Sequence, residues 1–133
     1  MRPLFADAYY FVARLNPRDQ HHDRVSEFIE LFEGDIVTTD WILMEVADAL
    51  ASSKIHSRIR EFMLDLRNNS SCEIVEASRD LLDRALDLYH RHSDKGWSLT
   101  DCTSFVVMRD RGITEALTGD KHFEQAGFIP LFK

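Results

Sequence analysis

Short apolar runs alternate along this chain with stretches whose apolar residues recur at helical spacing. Val25, Phe28, Ile29 and Phe32 stand at i, i+3, i+4 and i+7 and mark one face of a helix closed by Gly34. Ile59, Phe62, Met63 and Leu66 repeat the pattern over a second helix that ends near Asn68 and Asn69. Ser78 has the chemistry of an N-cap for a helix carrying Leu82, Ala85, Leu86 and Tyr89 on one side. A helix over residues 41–51 has an apolar arc of Ile42, Val46, Ala49 and Leu50. Another begins at Ser98 and runs to Arg111, with Gly112 as its stop. The intervening runs at 3–6, 36–39, 73–76, 115–118 and 128–131 are short and read as strands.

Strands separated by helices need crossover connections, which predicts an α/β fold of three layers, α/β/α, around a central, mostly parallel sheet. The chain has no repeat, low-complexity tract or linker-like stretch, so residues 1–133 are expected to form one domain. Open sheets of this kind carry their sites beyond the carboxyl ends of the strands. The residue that follows each strand is therefore informative.

Composition sets bounds on the function. Of 133 residues, 44% are hydrophobic and 29% charged, the balance of a globular protein able to bury a core. No apolar run approaches the roughly 20 residues that span a bilayer. An acid as early as Asp7 is foreign to a signal peptide, so a cytoplasmic protein without membrane attachment is expected. Cys72 and Cys102 lack framework or zinc spacing and are expected to be reduced, packed thiols. The formal net charge of −7 disfavours a general nucleic-acid binder, whose affinity comes from Lys and Arg. It remains compatible with a nuclease if some of the acids hold cations.

Four acids stand out. Asp7 and Asp120 each directly follow a strand; each has an alternative reading as a helix cap or turn residue. Two such strands set side by side would bring the carboxylates together, and a pair so placed repels unless a cation neutralises it. Glu45 borders the apolar arc of its helix, where acids are uncommon. Asp40 and Asp48, by contrast, read as helix-start and solvent-face residues. Asp101 closes Ser98-Leu99-Thr100-Asp101, which has capping-box spacing with Asp in place of Glu or Gln. It also shares a face with Phe105 and Met108, so it heads a stripe pointing into the protein. Such a cluster suits Mg²⁺ or Mn²⁺, which take oxygen ligands, and two ions about 4 Å apart serve phosphodiester hydrolysis.

Together these residues resemble the PIN-domain family, in particular the VapC-like toxins of type II toxin–antitoxin pairs, over essentially the whole chain. Asp7 falls where the family has its first acid and Glu45 where it has the second. Trp97-Ser98-Leu99-Thr100-Asp101-Cys102 resembles the segment bearing the third. Thr118-Gly119-Asp120-Lys121-His122-Phe123, continued by Ala126-Gly127-Phe128, resembles the segment bearing the fourth. The resemblance implies a PIN-like fold and a divalent-metal-dependent endoribonuclease with Asp7, Glu45, Asp101 and Asp120 as catalytic and metal-binding residues. It further implies tRNA or ribosomal RNA as substrate, a cognate antitoxin that sets an Arg near the carboxylates, and a homodimer. Many relatives place a Ser or Thr directly after the first acid. Here that position is Ala8, and Ser98 and Thr118 are the candidates to supply the missing hydroxyl.

Lys54, His56, Arg58, Arg60 and Arg67 gather positive charge around one helix. They read either as a solvated face with Glu61 and Asp65 or as contacts to an RNA backbone, for which Lys54, Arg58 and Arg60 are the candidates. His21 and His22 read as surface, Trp41 and Trp97 as core or interface, and residues 9–12 as core or a partner groove. A receiver domain would need paired acids after the first strand and a central strand ending in Asp, and a phosphatase would need Asp-x-Asp at Asp7; both are absent. A structure-selective DNA nuclease and a non-catalytic RNA- or protein-binding scaffold remain the alternatives.

Overall fold

The computed structural model describes residues 2–133. Five strands, β1 (Leu4–Ala6), β2 (Ile36–Thr39), β3 (Cys72–Val75), β4 (Glu115–Leu117) and β5 (Ile129–Pro130), form one sheet in the order β3-β2-β1-β4-β5. All neighbouring pairs are parallel. The helices between them are α1 (Ala8–Leu15), α2 (His22–Leu31), α3 (Asp40–Ala49), α4 (Ile59–Asn68), α5 (Arg79–Arg91), α6 (Leu99–Arg111) and α7 (Lys121–Gln125), with a 3₁₀ turn at His56–Arg58. Connections leave β1 towards β2 on one side and reach β4 on the other. Right-handed crossovers in opposite directions put helices on opposite faces, which yields the expected three layers.

The central strands are short and covered on both faces. Every residue of β1 and β2 is buried, as the apolar runs predict for an interior parallel sheet. Phe5, Phe11, Phe105 and Phe123 are wholly buried and carry much of the core volume. Helix ends follow local chemistry: Ser78 and Thr39 accept from the backbone N–H of Leu81 and Ile42, and Gly112 ends α6 at φ 65°, a left-handed conformation that suits glycine.

Two apolar faces differ from the pattern. On α5 the buried positions are Ala85 and Leu88, while Leu86 and Tyr89 are exposed. The face that meets α6 is thus rotated away from the stripe expected at 82, 85, 86 and 89. On α3 the inward residues are Ile42, Leu43 and Val46, and Ala49 faces out. Tyr10 and Phe11 belong to the core, and Tyr9 packs on His21 and Phe132. Trp97 is buried with its indole N–H donated to Gln125 at 3.1 Å. Both cysteines are free thiols, Cys102 buried and Cys72 half-buried. Among the described residues no helix is long and apolar enough to cross a membrane.

Candidate metal centre

The strand order reverses between β1 and β4, which places a crevice at the carboxyl ends of these neighbours. Register then decides what fills it. Ala6 pairs with Leu117, so the residues that follow, Asp7 and Thr118, emerge side by side. The Thr118 hydroxyl donates to Asp7 Oδ2 at 2.7 Å, inside the protein. Thr118 Oγ1 also accepts from the backbone N–H of Asp120 at 3.1 Å, tying the fourth acid to the first through one hydroxyl. On the other flank Thr38 donates to the Ala6 carbonyl at 2.9 Å and anchors β2 to β1 just below Asp7.

Asp7 occupies the N-cap position of α1, yet its side chain makes no capping hydrogen bond. The capping interpretation therefore fails for the side chain, which is 7% exposed and turned into the crevice. Burial, with smaller contributions from the charges of Glu45 and Asp101, pushes its pKa up to about 7 against the opposing hydrogen bonds from Thr118 and Ala8. Glu45 sits on α3, which packs against α1 and α6. Glu45 is an exposed residue, and its closeness to the crevice is seen in the charges of Asp101 and Asp120 that act on it. Burial of its inner side and then the charges of Asp101 and Asp120 raise its pKa.

Asp101 is the capping-box residue its spacing predicts, and its carboxylate also turns towards the crevice. Its backbone N–H donates to Ser98 Oγ at 2.9 Å and its Oδ2 accepts from the Ser98 backbone N–H at 3.1 Å, completing the capping box. The same Oδ2 lies 2.9 Å from His122 Nδ1. Burial raises the Asp101 pKa, as does Asp120, while the Ser98 bond and His122 oppose the rise. Asp120 likewise caps α7, accepting from the His122 backbone N–H at 2.9 Å, and its Oδ1 lies 3.5 Å from His122 Nδ1.

The four predicted acids thus come within one another's field, and the tightest group is Asp101, Asp120 and His122, whose donor atoms all lie within 4.8 Å of one another. Asp7 and Glu45 border that group rather than joining it. His122 had no assigned role in the sequence, because nothing in its spacing announces a contact with a residue 21 positions earlier. Carboxylates that raise one another's pKa form a site short of positive charge, and an oxygen-rich set of this kind fits a hard divalent cation.

Gly119 sits between Thr118 and Asp120 where space is tightest. A methyl group there would lie 2.9 Å from the Phe132 carbonyl oxygen and from the ring of Tyr9. Phe132 also donates its backbone N–H to the Thr118 carbonyl at 3.0 Å. The segment bearing the fourth acid is therefore pressed into place from two sides. Asp40 keeps the structural part expected of it, accepting from the Ala77 backbone N–H at 2.9 Å. Lys54, Arg58 and Arg60 lie exposed around the 3₁₀ turn and the start of α4. Among the described residues none of the three is in an ion pair.

A sequence profile for the PIN domain matches residues 4–129, and the chain belongs to the PIN-domain family. It is similar to the 23S rRNA-specific endonuclease VapC20 of Mycobacterium tuberculosis, with 26% identity over 126 residues that span 95% of each chain. The crystal structure of VapC20, described as a sarcin–ricin-loop-cleaving toxin, matches with a TM-score of 0.87 and 26% identity over 96% of this chain and 98% of the other. VapBC2 from Rickettsia felis, solved with a promoter DNA fragment, shares the fold at a TM-score of 0.67 and 18% identity over 97% of each chain. The resemblance read from the two acid-bearing segments is thereby upheld.

Proposed function

We propose that this chain is a divalent-metal-dependent endoribonuclease and the toxin of a toxin–antitoxin pair, with Asp7, Glu45, Asp101 and Asp120 as its metal-binding acids. The observation that carries this reading is the convergence of these carboxylates at the β1–β4 crevice, where burial first, and the charges of neighbouring acids second, raise the pKa values of Asp7, Glu45 and Asp101. Mg²⁺ or Mn²⁺ held there would supply Lewis-acid charge for water attack on a phosphodiester. Thr118 fixes the orientation of Asp7, and Ser98 that of Asp101. Thr118 takes the place of the hydroxyl absent at Ala8.

The similarity to VapC20 along nearly the whole chain supports large-subunit ribosomal RNA as the substrate, and a cytoplasmic site of action would agree with that substrate. Lys54, Arg58 and Arg60, exposed and outside any ion pair among the described residues, would contact the phosphate backbone. A cognate antitoxin would cover the acidic crevice, an Arg side chain meeting its carboxylates, and the toxin would act as a homodimer.

The test is incubation of purified protein with ribosomes and with total RNA in Mn²⁺, Mg²⁺ or EDTA, followed by mapping of new RNA ends. Discrete cleavage that EDTA abolishes, and that Asp101→Asn lacks, is the expected result. Intact RNA under both metals would refute the nuclease assignment, and cutting of other RNA with ribosomes left whole would refute the substrate.

A further inference from the structure

We infer that His122 is a direct ligand of the catalytic cation, through Nδ1, and that this nitrogen makes the site prefer Mn²⁺ over Mg²⁺. The inference deepens the nuclease reading and rests on it, since it concerns the same cation.

The geometry is that of a coordination face. An octahedral ion with ligands at about 2.0–2.1 Å keeps adjacent ligand atoms about 3 Å apart. His122 Nδ1 lies 2.9 Å from Asp101 Oδ2 and 3.5 Å from Asp120 Oδ1, so the imidazole already stands at near-adjacent ligand distance from both carboxylates. All three donors lie within 4.8 Å of one another. Three elements converge to build the group: Asp101 opens α6, Asp120 follows β4, and His122 stands in the first turn of α7. The Asp120 carboxylate holds the backbone N–H of His122, which fixes the base of the side chain. The ring is 23% exposed and the Asp101 side chain 12%, so the donors face a partly dried crevice rather than open water.

The choice of cation follows from donor chemistry. Carboxylates and water satisfy both ions, whereas an imidazole nitrogen suits transition metals better than Mg²⁺. A purely carboxylate site would separate the two ions weakly; one with Nδ1 in its first coordination sphere separates them more.

A hydrogen-bonding role for His122 predicts the same contacts in the metal-free protein, so the test must tell ligand from positioner. Mn²⁺ alone is added to the full chain, and pulsed electron paramagnetic resonance reads whether a ¹⁴N nucleus is bound directly to the ion. Calorimetry gives Kd for Mn²⁺ and for Mg²⁺. His122→Asn sets a carboxamide near the place of Nδ1, which retains hydrogen bonding to Asp101 but offers no ligating nitrogen. His122→Ala serves as the second variant, and the thermal unfolding midpoint of each shows that it is folded.

Nitrogen modulation is expected in the parent chain and lost in both variants. Loss of a group that merely supports a ligand lowers affinity about 10–100-fold, and the Mn²⁺ affinity should fall by more than that. The Mg²⁺ affinity should change much less in His122→Asn. Tight Mn²⁺ binding with an all-oxygen signature would overturn the inference while leaving the nuclease reading intact. So would an unchanged Mn²⁺/Mg²⁺ ratio in His122→Asn. Binding of Mg²⁺ but not Mn²⁺ by the parent chain would overturn the inference alone, and binding of neither would overturn both.

Discussion

Replacing Asp7 by Asn should stabilise the metal-free protein at alkaline pH while destroying its activity. The Asp7 carboxyl moves from an ordinary 3.8 to about 7 on folding, chiefly through burial. At about 1.36 kcal/mol per pH unit of difference, ionising it in the folded state costs about 4 kcal/mol. The sign follows from linkage: the folded state holds the proton more tightly, so the cost is absent below pH 3.8, grows as pH rises and is complete above about 7. Asn avoids the charge, and its carbonyl oxygen can accept the Thr118 hydroxyl as Asp7 does. Its amide still needs partners, a cost of about 1–3 kcal/mol that leaves a net gain of roughly 2 kcal/mol.

The assay is thermal unfolding in EDTA at pH 8 and pH 5. Asp7→Asn should melt about 5–10 °C above the parent chain at pH 8, from the usual entropy of unfolding for this size. At pH 5 more than half of that advantage should vanish. With Mn²⁺ at 100 times Kd the parent chain recovers about 2.7 kcal/mol, whereas the variant gains far less. Parallel pH dependences in EDTA, or a variant no more stable at pH 8, would refute the assignment of a desolvated, uncompensated acid at this position.

Thr118→Val removes the donor to Asp7 and the acceptor for Asp120 and should weaken Mn²⁺ binding about 10–100-fold by calorimetry, with Thr118→Ser restoring it. Gly119→Ala forces a methyl group against the Phe132 carbonyl and the Tyr9 ring. It should cost about 1–3 kcal/mol in urea denaturation and reduce RNA cleavage by displacing Asp120. Ser98→Ala breaks the capping box of α6 and should lower stability by about 1 kcal/mol, read from the denaturation midpoint.

Much of the fold was legible because both strand and helix periods are cleanly written: the runs at 36–39 and 115–118 coincide with β2 and β4 to within a residue. Asp7 was legible for a simple reason, since an acid directly after a buried strand must stand at the sheet's carboxyl edge; Asp120 stands three residues beyond the end of β4 and is brought to that edge through Thr118. Other features were not. Leu86 and Tyr89 fit a helical stripe, yet packing of α5 on α6 chooses the adjacent face, and periodicity cannot decide between faces one residue apart. His122 was invisible because its partner lies on another helix. Asp101 offered cap and inward carboxylate as rivals, and the structure shows one oxygen that closes the cap and also meets His122.

That shared oxygen couples recognition to architecture. Helix α6 is the most deeply enclosed helix of the protein, buried continuously from Cys102 to Met108, and its opening turn is fastened by the same atom that faces the crevice. Any group that competed for Oδ2 would compete with the Ser98 backbone N–H for the same lone pairs. Occupancy of the crevice and the fastening of the first turn of α6 therefore draw on one atom.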